Sequence, residues 1–183
     1  MQVGAGSFWL SATPDKPGTS FYLALNACAR IASWVKLSDK ESGRQFVLLN
    51  MHWDHISEPA RQKSAALVRE RLTKLGGELP VIVTGDFNAH EDSPAVKELV
   101  GANDSKGRKL ADSYRELRPE RSPNESSFNG WKGTLSGKRI DFILHTSEFS
   151  PVAVEIVRTS YEGHWPSDHY PVVATLMLNR KSD

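Results

Sequence analysis

The sequence predicts a layered α/β protein, a sandwich of mixed sheets rather than a doubly wound fold. Three observations lead there. Short apolar runs rich in β-branched residues, such as Val81-Ile82-Val83, suit strands buried on both faces. One long amphipathic segment, residues 57–75, separates the early strand candidates as a crossover helix. The strand candidates come first as a hairpin, then across that helix, then mostly without helices between them. The 183 residues suffice for one domain with its own core, and no linker, repeat or low-complexity stretch divides them. Residues 1–183 are therefore expected to form a single domain.

In chain order, residues 1–19 are rich in Gly, Ser, Thr and Pro and read as loop. Phe8-Trp9-Leu10 is a short packing segment within it. Residues 29–37 and 46–51 read as two strands joined by a polar turn with Gly43, which makes a hairpin. Residues 57–75 form a helix, with Pro59 in its first turn and Gly76-Gly77 at its end. Residues 81–88 read as a strand. Ser93-Pro94 caps a short helix to about Leu99. A polar loop spans residues 101–109, a helical turn 111–117, and a loop 119–126. Strands follow at residues 139–145, 152–158 and 170–178, with Pro171 near the start of the last, where a missing donor is tolerated.

Composition narrows the function classes. The net charge is +1, which does not indicate a strongly basic nucleic-acid-binding surface but leaves room for a local groove. Cys28 is the sole cysteine, so the chain has neither an internal disulfide nor a cysteine-based zinc site, and it is expected in the core. No apolar run approaches the roughly 18 residues of a membrane helix. The compartment stays open between the cytoplasm and secretion.

Candidate chemistry lies where polar residues end or interrupt apolar runs. Asp86 and Asn88 end the strand around Val81–Val83, and side chains two apart on an extended chain share a side. That pair offers oxygen ligands for a hard cation and a group that orients water. Its bland reading is a turn, since Gly, Asp and Asn are common turn formers. His52 follows another apolar run. Asp141 sits inside Ile140-Asp141-Phe142-Ile143-Leu144, where a carboxylate is costly unless paired. A histidine suits it, first His169 and then His52, with a structural ion pair to Arg139 or Lys138 as the alternative. Asp168 precedes the last strand. If its strand neighbours that of Asp86, two carboxylates ~4 Å apart repel by roughly 4 kcal/mol at an effective dielectric near 20. A divalent cation removes that cost. Oxygen-rich ligands with one or two histidines and no cysteine favour Mg²⁺ or Mn²⁺.

Four segments in this order are similar to the endonuclease/exonuclease/phosphatase superfamily, the DNase I-like fold. They are Asn50-Met51-His52-Trp53-Asp54-His55, Gly85-Asp86-Phe87-Asn88, Arg139-Ile140-Asp141-Phe142-Ile143 and Ser167-Asp168-His169-Tyr170-Pro171-Val172. The resemblance implies a four-layer sandwich of two mixed β-sheets flanked by helices, and Mg²⁺- or Mn²⁺-dependent hydrolysis of a phosphate ester by metal-assisted water attack. Carried over by position, Asp86 orients or deprotonates the water with Asn88 beside it. His169, oriented by Asp141, contacts the scissile phosphate. Asp168 serves the metal with Asp86, Asn88 and His169, and His52 is a phosphate contact or acid. The substrate is expected among nucleic acids, lipid headgroups and small phosphodiesters, and the full-length protein is expected to be monomeric. The family's first half-domain, with a metal-binding Glu, has no match here. The chain is therefore expected to be N-terminally incomplete, with a weakly active or inert binding module as the alternative to an enzyme.

Overall fold

The computed structural model describes residues 1–24, 28–101 and 109–180. Its elements run β1 (Gln2–Trp9), β2 (Ile31–Ser38), β3 (Gln45–His52), α1 (Glu58–Gly76), β4 (Val81–Asp86), α2 (Pro94–Val100), β5 (Ala111–Asp112), α3 (Ser113–Leu117), β6 (Asp141–His145), β7 (Phe149–Ile156) and β8 (Val172–Leu178). Most of the loop expected at residues 101–109 lies outside the described residues.

A six-stranded sheet of order β1-β2-β3-β4-β6-β5 forms the centre. It is mixed, because β4 pairs parallel to β3 while the other pairings are antiparallel. The parallel pair follows from the crossover through α1. Val47, Leu49, Met51, Val81, Val83 and Leu144 point from this sheet into one core with Ala65, Val68 and Leu72 of α1 and Leu99 of α2. The second sheet, among the described residues, is the antiparallel pair β7-β8. Phe149 of β7 meets Phe46 of β3 edge to face at 5.7 Å, which packs the two sheets together.

The helix ends follow local chemistry. Ser57 caps α1 by accepting from the Ala60 N–H, and Ser93 caps α2 by accepting from the Val96 N–H. Gly77, with φ of 52°, stops α1. The hairpin β2-β3 forms as expected.

The N-terminal segment departs from expectation. Residues 1–19 read as loop, yet Gln2–Trp9 is an edge strand paired antiparallel with β2. Its glycines look like loop signals because their purpose is tertiary. Gly6 is registered opposite Trp34, and a Cβ on Gly6 would stand 3.0 Å from the indole. Glycine there makes room for a neighbouring ring. Residues 111–112 join the sheet as β5 before the helical turn begins, and Asp112 caps α3 through the Tyr114 N–H. Cys28 is exposed in the connection between β1 and β2, outside the core expected for it.

Candidate active site

Strand register assembles the site. His52 ends β3, Asp86 ends β4 and Asp141 opens β6; His52 is registered with Asp86, and Asp86 with Asp141. Three polar side chains therefore share one end of three adjacent strands. An aromatic stack fixes the floor: Trp53 lies 4.5 Å from Phe87, and Phe87 lies 4.9 Å from Phe142, all fully buried or nearly so. The Trp53 N–H donates to the Asp86 carbonyl and the Phe87 N–H to the Ile140 carbonyl. These bonds tie the three strand ends together beneath the side chains.

His169 arrives from the loop before β8. Its Nδ1–H donates to Asp141 Oδ2 at 2.8 Å, which leaves Nε2 facing Asp86 Oδ2 at 3.8 Å. The alternative partners of Asp141 are engaged elsewhere. Arg139 pairs with Asp112, and Lys138 with Asp92. Burial pushes the His169 pKa down, but the Asp141 hydrogen bond and the charges of Asp141, Asp86 and Asp168 outweigh it and hold it above the usual value. Burial pushes Asp141 up; hydrogen bonds from Ser127 and His169 offset this only in part, so its pKa stays raised. Burial likewise opposes ionisation of Asp86, yet the His52 hydrogen bond, the Asn88 N–H and the charges of both histidines leave its pKa lowered. His52 Nε2 lies 3.2 Å from Asp86 Oδ2.

Two expected arrangements differ. Asn88 does not continue the strand beside Asp86, because β4 ends at Asp86 and Asn88 adopts a left-handed φ of 45°. Its N–H donates to Asp86 Oδ1 at 2.8 Å, while its side-chain amide is anchored on the Trp53 carbonyl at 3.0 Å. Asn88 thus braces the Asp86 turn. Asp86 and Asp168 are not on neighbouring strands, because β4 pairs with β6 and β8 pairs with β7 in the other sheet. The carboxylate that meets Asp86 is Asp141. Among the described residues, Asp86, Asp141 and His169 form a group whose ligand atoms lie within 4.8 Å of one another. Asp168 accepts through its main-chain oxygen from the Asn129 and Gly130 N–H groups and through Oδ1 from the Ser167 hydroxyl at 3.4 Å.

Sequence reasoning passed over Ser127, one of the groups that brace this site. Buried Ser127 accepts from the Ile140 and Asp141 N–H groups at 3.0 and 3.1 Å and hydrogen-bonds the Asp141 carboxylate. Asn129 Nδ2 donates to the Ser167 carbonyl at 3.0 Å. Arg139, buried between the rings of Tyr114 and Phe142, also donates to the Asp141 carbonyl. An open depression of about 460 Å³ exposes His52, Asp86, Asp141 and His169 together. A larger one, about 670 Å³, lies at the opposite strand ends around Arg44 and Glu78, away from this cluster.

The model of the Endonuclease/Exonuclease/phosphatase family matches residues 6–169, which include every one of these side chains. The chain belongs to this family. A family protein from Bacteroides thetaiotaomicron is 35% identical with a TM-score of 0.82, over 96% of this chain and 65% of that one. A mannosyl-6-phosphatase from the same organism is 34% identical with a TM-score of 0.82, over 97% of this chain and 67% of that one. Nocturnin of Rattus norvegicus is 29% identical over 80% of this chain and 37% of its own length. The chain thus spans just under two thirds of the first similar solved structure and little over a third of the curated relative. No described helix is long and apolar enough to cross a membrane.

Proposed function

We propose that this chain carries the catalytic centre of a divalent-cation-dependent hydrolase that cleaves a small phosphate ester, a sugar phosphate being the favoured class. The observation that carries this reading is the Asp141–His169–Asp86 relay, with contacts of 2.8 and 3.8 Å at the open ends of the strands. The 34% identity to a mannosyl-6-phosphatase and the net charge of +1 support a compact substrate over a long polyanion.

The donor set suits a hard cation. Asp86 offers a carboxylate held ionised, Asp168 adds a second, and no thiolate competes. Asp86, with Asp168 in support, would hold Mg²⁺ or Mn²⁺, which supplies charge neutralisation on phosphoryl oxygens when bound. Asn88 is proposed to keep the Asp86 carboxylate aimed, as its N–H bond suggests. The lowered pKa of Asp86 suits orienting an attacking water better than removing its proton. Asp141 orients His169 through Nδ1–H and favours its protonated form, whose Nε2–H would face the phosphate, where negative charge accumulates. His52, bonded to Asp86 and half-exposed, is proposed as a phosphate contact.

The test is phosphate release from a phosphomonoester, a phosphodiester, and single- and double-stranded DNA, with Mg²⁺ or Mn²⁺ against EDTA. Metal-dependent release that is strongest on the small monoester supports the proposal. A folded, monodisperse sample that binds phosphate without turnover supports the binding-module reading instead. Strongest cleavage of DNA overturns the substrate class.

A further inference from the structure

The strand ends opposite the catalytic row frame a second cavity, open and about 670 Å³ in volume. Pro80 lines it just before β4 begins, and Asp86 stands at the other end of that strand. The six residues of β4, at about 3.3 Å each, hold the two sites roughly 20 Å apart.

Four segments meet at its walls: the start of β3, the turn before β4, the turn between β6 and β7, and the end of β8. Asn179 pins them. Its N–H donates to the Glu148 carbonyl at 2.9 Å and its Nδ2 to the Ser147 carbonyl at 3.1 Å, while its Oδ1 accepts the Ser150 hydroxyl at 3.0 Å. Its own carbonyl accepts from Arg44 Nη1, which ties the start of β3 in one sheet to the end of β8 in the other. The Val47 N–H donates to the Pro80 carbonyl at 2.9 Å and closes the remaining wall. Backbone and Asn179 therefore preform the cavity.

Its charges stand apart from those elsewhere in the molecule. Arg61, Arg71, Arg115 and Arg121 each pair with a carboxylate. Arg44 and Arg180, which line the cavity, form no ion pair among the described residues. Glu78 and Glu148 line it too, yet neither pairs with these guanidiniums. Charges of both signs thus face one open volume without neutralising each other. A simple anion meets the glutamates there, and a simple cation meets the arginines. A molecule that carries both charges complements both sets. The planar arginine fork suits a carboxylate or a phosphate as the negative group. The volume lies within the roughly 300–1,000 Å³ of small-molecule pockets.

We propose that this cavity is a binding site for a small zwitterion, an amino acid or a phosphorylated amine, with its oxyanion on Arg44 and Arg180 and its ammonium toward Glu78 and Glu148. The site is separate from the hydrolytic centre and does not depend on that reading.

The experiment follows the amide NMR signals of the isotope-labelled protein, in EDTA, on titration with phosphoethanolamine, γ-aminobutyrate, inorganic phosphate and ethanolamine. At least one zwitterion is expected to shift Gln45, Ser147, Glu148 and Asn179, and to bind about tenfold tighter than phosphate or ethanolamine. The better zwitterion identifies the oxyanion. Arg180 and Glu78 are exposed and outside the hydrogen-bonded wall, so Arg180→Gln and Glu78→Gln leave the fold intact. Each is expected to remove the tenfold advantage. Phosphate that binds as tightly as the zwitterions, or an advantage that survives both substitutions, overturns the proposal. So do shifts confined to His52, Asp86 and His169 with every probe, or no shifts at all.

Discussion

At the residue scale, the site depends on how Asp141 is held. Ser127, itself fully buried, accepts two main-chain N–H groups and hydrogen-bonds the half-buried carboxylate. Removing its hydroxyl leaves those donors unpaired, an expected cost of about 1–3 kcal/mol in unfolding free energy. Ser127→Ala is also expected to lower kcat more than it raises KM, because in the proposed function Asp141 acts through His169. Ser127→Thr, which keeps the hydroxyl, should restore part of both. Denaturant unfolding and steady-state kinetics on the three proteins check this. Asp86, Asp141 and His169 were legible in the sequence because charged or polar residues interrupt apolar runs. Ser127 was not, because a serine in a loop looks the same whether it braces a site or merely turns the chain. The positions expected for Asn88 and Asp168 relative to Asp86 differ for a related reason. The two-residue alternation assumed for Asn88 ends where its φ turns positive, and the expected approach of Asp168 to Asp86 required a strand pairing that the chain does not make.

At the element scale, backbone proximity sets the sharpest constraint. Gly85 lies in β4 with φ of 147°, and a Cβ there would stand 1.8 Å from the Met51 carbonyl oxygen of β3. Gly85→Ala is therefore expected to cost at least about 3 kcal/mol, since backbone, unlike a flexible side chain, cannot step aside. Thermal and urea melts measure it; a cost below ~1 kcal/mol would show that the parallel pair β3-β4 can spread. The strands around the apolar runs and both longer helices were readable from periodicity and caps. β1 was not. Its Gly-Ala-Gly-Ser stretch has no alternating apolar face, and the reason for the glycines, the bulk of Trp34 on the neighbouring strand, is visible only after pairing.

At the scale of the whole molecule, charge ties distant segments together near the site. Arg115 bridges Glu91 and Glu125, and Asp92 pairs with Arg121 and Lys138. This joins the turn after β4 to the loop after α3 and to the entry of β6. The Arg121 hydrogen bond is the largest influence on Asp92. Desolvation opposes it, and Lys138 adds to it, so the pKa falls from 3.8 to about 2. A folded-state pKa below the unfolded one stabilises the protein above about pH 4, and that contribution fades as pH falls toward 2. Asp92→Asn is expected to flatten the melting temperature against pH in that window, slightly, because the group is open to solvent. An unchanged slope would show that the clamp does not hold these segments. The sandwich of two sheets was legible from element order; the reach of this ion-pair network was not, because Glu91 and Asp92 lie 24 to 46 residues from their partners.

The central claim is that Asp86 anchors a cation-dependent phosphate-ester hydrolysis. Phosphate release from a sugar phosphate, measured for wild type and Asp86→Ala across a Mg²⁺ titration, tests it most directly. The account predicts release that saturates with Mg²⁺, is abolished by EDTA, and falls about a hundredfold or more in the variant. Release of equal rate in the two proteins, or release indifferent to EDTA, would contradict it.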